Sequence, residues 1–122
     1  MKIIEDFIEH TDHYEKEFEF SSKDIVVTIN KDEISSETEN ITKHVLENLE
    51  QIVENSLAFI NERKSQYEIA FINDFSDPQI FVGEDNFSVY WSSEEGESKG
   101  VAVIAADYYW PENKWQGLTI GD

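Results

Sequence analysis

The sequence predicts an α+β fold: an antiparallel sheet of five to seven strands with one long helix packed on one face, in a single domain over residues 1–122. Three observations predict it. Val101–Ala106 is apolar without alternation, which in a strand means that both faces are covered. Just before it, Phe87, Val89 and Trp91 alternate with Ser88, Tyr90 and Ser92, the pattern of a strand buried on one face. Between Ser36 and Lys64 the apolar residues keep instead to one helical stripe, uninterrupted by Gly or Pro.

The elements follow in order. Met1–His10 places Ile3, Ile4, Phe7 and Ile8 at helical spacing and fits a short amphipathic helix or an edge strand. In Tyr14–Phe20, Tyr14, Lys16, Phe18 and Phe20 alternate with Glu15, Glu17 and Glu19. Three glutamates two residues apart repel one another and belong in water, on an outward face or a sheet edge. A turn at Ser21–Asp24 leads into the β-branched Asp24–Asn30, so the two strands form a hairpin. The helix opens on Ser36-Glu37-Thr38-Glu39, which fits a capping box. It carries Ile41, Val45, Leu49, Ile52, Val53, Leu57 and Ile60 on its stripe and ends at Arg63 and Lys64, as the helix dipole favours. Tyr67–Ile72 reads as a strand and Asp74–Pro78 as a break. Gln79–Gly83 is a short strand, and Gly83-Glu84-Asp85-Asn86 turns into Phe87–Ser92. Ser92–Gly100, with Glu94, Glu95 and Glu97, is a solvated hairpin loop, because three unpaired glutamates cannot be buried together. Pro111 ends the strand after it, and Trp115–Ile120 closes the sheet.

Charge is the strongest global signal. Twenty-seven acids face nine bases, for a net −18, and Arg63 is the single arginine. Such a balance costs stability through self-repulsion, repels nucleic acid and anionic membrane, and speeds encounter with a basic partner. No apolar run reaches the ~20 residues of a membrane span. The N-terminus carries acids where a signal peptide would be apolar, so a cytoplasmic location is expected.

Catalytic signatures are missing from the sequence. It has no cysteine, no G-x-S-x-G elbow, no H-E-x-x-H and no phosphate loop. His10 and His13 flank Thr11 and Asp12, and on a helix their rings would share a face. A zinc site needs three or four ligands, however, and no thiolate completes this one. The expectation is therefore no metal, no cofactor and no enzyme activity. Tyr108, Tyr109, Trp110 and Trp115 bracket a proline turn beside Asp107 and Glu112, a composition that suits an interface with a basic partner.

Phe81–Ser92 (FVGEDNFSVYWS), Gly100–Ala105 (GVAVIA) and the closing Leu118–Asp122 (LTIGD) give a strand–acidic turn–strand cadence in a small acidic chain without cysteine. In this the sequence resembles bacterial immunity proteins encoded beside polymorphic or contact-dependent toxins. The resemblance spans about the last third of the chain and brings no catalytic motif. It implies a cytosolic protein that binds and neutralises a cognate toxin domain. Nuclease toxins bind phosphate backbones and are basic, so an acidic inhibitor is physically apt.

The residues expected to meet that partner are Glu84 and Asp85 in one turn, Glu94, Glu95 and Glu97 in the next, and Asp107, Trp110, Glu112 and Trp115 at the C-terminal turn. One of the two tryptophans is expected to be exposed. A nucleic-acid mimic would instead use Glu15, Glu17 and Glu19 together with Glu47, Glu50 and Glu54 as one stripe of carboxylates. A third reading leaves the charge to solubility alone.

Overall fold

The computed structural model describes residues 2–20 and 23–121, without the side chains of Lys2, Phe20 and Lys23. Met1, Ser21 and Ser22 of the Ser21–Asp24 turn, the inward placing of Phe20 and the last residue of Leu118–Asp122 lie outside that description. Seven strands form one sheet in sequence order: β1 (Ile8–Glu9), β2 (His13–Phe20), β3 (Lys23–Asn30), β4 (Ser76–Val82), β5 (Asn86–Ser92), β6 (Val103–Tyr109) and β7 (Lys114–Gly121). The α+β architecture is as predicted, at the upper end of the expected strand number. All neighbours are antiparallel except β3 and β4, which run parallel. Parallel neighbours need a long crossover, and the helical segment between them supplies it.

That segment is two helices, α1 (Thr38–Glu47) and α2 (Leu49–Arg63), where one was expected. The break falls at Asn48 (φ −128°, ψ 27°). Its side-chain amide donates to the carbonyl of His44 at 2.9 Å, and its backbone N–H reaches the same carbonyl at 3.1 Å. An asparagine that bonds local backbone groups competes with the helical ladder, which ends the first helix there. The predicted capping box does not form. The N-terminus is held one residue earlier, where the Ser35 hydroxyl accepts from the Glu37 amide at 3.1 Å and Thr38 Oγ1 accepts from the Ser35 amide at 2.7 Å.

The predicted strand Tyr67–Ile72 is not a strand. A 3-10 turn, Lys64–Tyr67, ends at Glu68 in the left-handed region (φ 60°), and the chain continues irregularly with Ile69 and Ile72 buried. Tyr67, Ile69 and Phe71 alternate as a strand would, but the buried pair Ile69 and Ile72, three apart, is what a tight helical turn puts on one side. At the N-terminus a 3-10 turn (Lys2–Ile4) precedes the two-residue edge strand β1, so both expected forms occur in part.

Register fixes the faces. Tyr14, Lys16 and Phe18 on β2 stand opposite Ile29, Val27 and Ile25 on β3, and these face the helices. Ile80 and Val82, then Phe87, Val89 and Trp91, then Ile104 and Ala106 continue that face across the sheet. Ile41, Val45, Leu49, Ile52, Val53, Phe59 and Ile60 from the helices complete the core. Each such side chain contributes about 1.5–3 kcal/mol relative to exposure. Trp91 Nε1 donates to Ser56 Oγ at 3.0 Å, tying the centre of the sheet to α2.

The unbroken apolar run was expected to mean cover on both faces. Only one face has a helical layer. Ala105, on the other, is fully buried yet lies outside the core cluster, a short side chain in register between Tyr90 and Thr119. Among the described residues no helix is long and apolar enough to cross a membrane.

Candidate interaction surface

The face turned away from the helices has no second layer among the described elements. By register it displays His13, Glu15, Glu17 and Glu19 from β2, and Asp24, Val26, Thr28 and Asn30 from β3. Gln79 and Phe81 follow from β4, Ser88 and Tyr90 from β5, Asp107 and Tyr109 from β6, and Thr119 and Lys114 from β7. Lys114 stands at the far edge, 3.8 Å from Glu112, and is the one basic residue besides His10 and His13 on this face among the described residues.

Two features organise this face. Asp107 accepts from Ser88 Oγ at 2.6 Å and from Thr119 Oγ1 at 2.7 Å, so its carboxylate is held across β5, β6 and β7. Beyond it, a cavity of about 350 Å³ opens at the carboxyl ends of the parallel strands β3 and β4. Phe81, Tyr90, Glu33, Glu84, Asp85 and Asn30 are among its lining residues, and none of the lining residues is basic. The Phe81 and Tyr90 rings meet edge to face at 4.8 Å. Burial pushes the Tyr90 phenol above its ordinary range, and the charges of Asp107 and Glu33 push it the same way. A crevice at the carboxyl ends of parallel strands is where open sheets characteristically receive ligands.

The predicted site residues fall into two groups at opposite ends of the sheet. Glu84, Asp85, Asp107, Trp110 and Glu112 lie at the cavity end. The turn is pinned there, since Ser35 Oγ donates to the Glu84 carbonyl at 2.5 Å and the Trp110 amide donates to the Asp85 carbonyl at 3.0 Å. Glu94, Glu95 and Glu97 lie at the other end, the length of β5 away, about 20 Å at 3.4 Å per residue. The expected open loop is a short helix, α3 (Glu94–Glu97), capped by Ser93. Asp74 accepts from Ser93 Oγ at 2.5 Å and from the Glu94 and Glu95 amides at 2.9 and 3.0 Å. These bonds, the Ser93 hydroxyl foremost, hold its carboxyl below the usual carboxylate range.

Neither tryptophan is exposed, against the expectation of one. Trp110 is half-buried, donates from Nε1 to Glu37 Oε2 at 3.1 Å and meets the His44 ring at 5.3 Å. Trp115 is half-buried on the helix side, against Phe59, Phe87 and Tyr108. Both rings join the helices to the C-terminal strands, so the carboxylates are left as the accessible part of the predicted site. The mimic's two acidic sets also separate. Glu15, Glu17 and Glu19 lie on the open face, whereas Glu47, Glu50 and Glu54 lie on the helices that cover the other.

Periodicity carries no sign of Glu33 or Tyr90 at the cavity, because the crossover brings Glu33 there across more than forty intervening residues. At the first hairpin, a helical reading of the histidine pair leaves out Glu15. His10 and His13 lie on a strand turn and not on a helix, and Glu15, two residues along β2, shares their face.

A scan against protein-family models finds no match, and searches of curated proteins and of solved structures find none either.

Proposed function

We propose that this protein is a non-enzymatic, immunity-type inhibitor that binds and neutralises a basic, nuclease-like toxin domain in the cytosol, and that the uncovered face of its sheet is the docking surface. The supporting observation is the cavity end of that face: Glu33, Glu84 and Asp85 line an open cavity floored with aromatic rings, beside a positioned Asp107, and no lysine or arginine neutralises them there. An arginine or lysine of a basic partner finds carboxylates to pair with and the Tyr90 and Phe81 rings to stack on. The remaining negative charge steers the encounter. Separation of the two acidic sets onto opposite sides weighs against a single phosphate-like stripe, and so against the mimic.

The test is binding to the product of the adjacent gene at low and high salt. Glu84→Lys with Asp85→Lys is compared with Glu50→Lys with Glu54→Lys, an equal charge change on the helical side. The expected result is at least a tenfold loss and a shallower salt dependence for the first pair, with a much smaller effect for the second. Equal effects would reduce the surface to bulk charge, and the absence of a basic partner would remove the reading.

A further inference from the structure

We infer that the first hairpin is a binding site for a first-row divalent metal ion such as Zn²⁺, with His10, His13 and Glu15 as ligands and Asp12 as the group that orients His13. The inference is independent of the proposed inhibitor role.

The sequence His10-Thr11-Asp12-His13-Tyr14-Glu15 builds the site in three steps. Thr11 and Asp12 make a two-residue turn between β1 and β2, closed by the His10 amide donating to the His13 carbonyl at 2.8 Å. That makes the two histidines cross-strand neighbours, and their rings stack with centroids 4.4 Å apart and planes 15° from parallel. Side chains two apart on a strand share a face, so Glu15 lies on the histidine side of β2. Its carboxylate oxygens stand 3.5 Å from His10 Nε2 and 3.8 Å from His13 Nε2. One ligand atom from each of the three lies within 4.8 Å of the others. A tetrahedral ion with bonds of 2.0–2.1 Å needs ligand atoms about 3.3 Å apart, so small side-chain rotations suffice.

The second observation concerns Asp12. His13 Nδ1 lies 2.6 Å from Asp12 Oδ1. With Nδ1 donating to Asp12, His13 keeps its Nε2 lone pair free in the ring plane, 3.8 Å from Glu15 Oε2. A carboxylate holding the far nitrogen of a ligating imidazole is the arrangement that fixes its tautomer in metal sites. Two imidazoles with one carboxylate suit Zn²⁺, Ni²⁺ or Cu²⁺, whereas Mg²⁺ and Ca²⁺ favour oxygen ligands alone. Three protein ligands on a surface turn leave a coordination position open to water.

The experiment is calorimetric titration of the intact protein with Zn²⁺ in 150 mM NaCl and 5 mM Mg²⁺, where Mg²⁺ occupies the diffuse acidic field. One equivalent should bind. His10→Ala, His13→Ala and Glu15→Gln should each weaken binding at least tenfold, Asp12→Asn should weaken it about 10–100-fold, and Glu17→Gln should leave it unchanged. The imidazole ¹⁵N resonances of His10 and His13 should shift at Nε2 with one equivalent. β1 and its turn are peripheral to the core, and circular dichroism checks that each variant is folded. Zn²⁺ binding that survives His10→Ala with His13→Ala, that Mg²⁺ abolishes, or that Glu17→Gln weakens as much as Glu15→Gln would show only diffuse attraction to the acidic surface and overturn the site. So would the absence of saturable binding, which would leave protons as the cations of the cluster.

Discussion

Gly96→Ala sets two physical effects of opposite sign against each other at the turn that carries Glu94, Glu95 and Glu97. Gly96 is helical and buried, and its φ is not positive. Helix propensity alone therefore predicts that alanine stabilises by about 1 kcal/mol. Packing predicts the reverse. A Cβ at this position would stand 2.0 Å from the Val101 carbonyl oxygen and 2.9 Å from Ile72 Cδ1. A carbon and an oxygen in ordinary contact are about 3.3 Å apart, so the backbone must open by more than an ångström. The opening strains the bond from the Val101 amide to the Gly96 carbonyl (2.8 Å) and the one from the Gly96 amide to Ser93 Oγ (2.8 Å).

Overpacking costs about 1–3 kcal/mol, and a lost hydrogen bond adds about 1 kcal/mol. Set against the propensity gain, the net is a destabilisation of about 1–3 kcal/mol, which a domain of ordinary stability survives in the folded state. Urea unfolding read by tryptophan fluorescence measures it, with an unchanged slope and a lower midpoint expected. Gly100→Ala is the comparison. Its Cβ would meet nothing within 4 Å, but φ is +84°, so the expected loss of about 1 kcal/mol comes from backbone strain alone. A Gly96→Ala protein as stable as the parent, or more stable, would refute the packing argument and leave propensity in charge of the turn.

Other outcomes follow from single contacts. Thr42 is fully buried, and its hydroxyl has no hydrogen-bond partner among the described residues, so Thr42→Val should raise stability by about 1 kcal/mol in the same assay. Glu17 faces Glu15 and Glu19 across about 7 Å of strand, a repulsion of about 0.6 kcal/mol each in water before screening. Glu17→Gln should therefore stabilise at 20 mM NaCl and lose that gain at 500 mM. Asp74 has a lowered folded-state pKa, so its stabilising contribution is present above the ordinary value of about 3.9 and is lost as pH falls through the folded value. The Glu94 and Glu95 amide resonances should titrate with a midpoint below 3.9, and Asp74→Asn should remove that transition.

Much of the fold was legible because strands and helices write different periods. β2, β3, β5 and the helical stripe were visible as alternation or as a 3.6-residue repeat. What failed did so for local reasons. Asn48 looks innocuous in a helical stripe, and only its bond to the His44 carbonyl shows why the helix breaks there. Tyr67, Ile69 and Phe71 alternate like a strand while Ile69 and Ile72 repeat like a tight turn, and six residues cannot decide between the two periods. The parallel pairing of β3 with β4 was hidden because the same elements with one more hairpin would give an all-antiparallel sheet. The candidate site was half legible. Glu84 and Asp85 were found from turn chemistry, and Asp107 from its place beside the C-terminal aromatic residues. Trp110 and Trp115 were assigned to a surface on composition, and the rings pack instead against His44, Phe59 and Phe87.

Acid on an uncovered sheet has two physical explanations, and the register separates them by place. Beyond Glu15, the outer edge of β2 has no paired neighbour, since β1 meets only Tyr14 and Glu15. Unpaired edges invite pairing with other chains, and charge blocks it. Glu17 and Glu19 are accounted for by that protection alone. Edge protection does not reach Asp107, which is central and bonded on both sides, or Glu33, Glu84 and Asp85 at the cavity. Two charge changes therefore should give different phenotypes. Glu17→Thr with Glu19→Thr, which removes the edge charge, should promote self-association, read by sedimentation, and leave partner affinity within a few-fold. Glu84→Lys with Asp85→Lys should keep the protein monomeric and cost at least tenfold in affinity. If both pairs aggregate and both still bind, the acids serve solubility throughout, and the cavity end carries no special role.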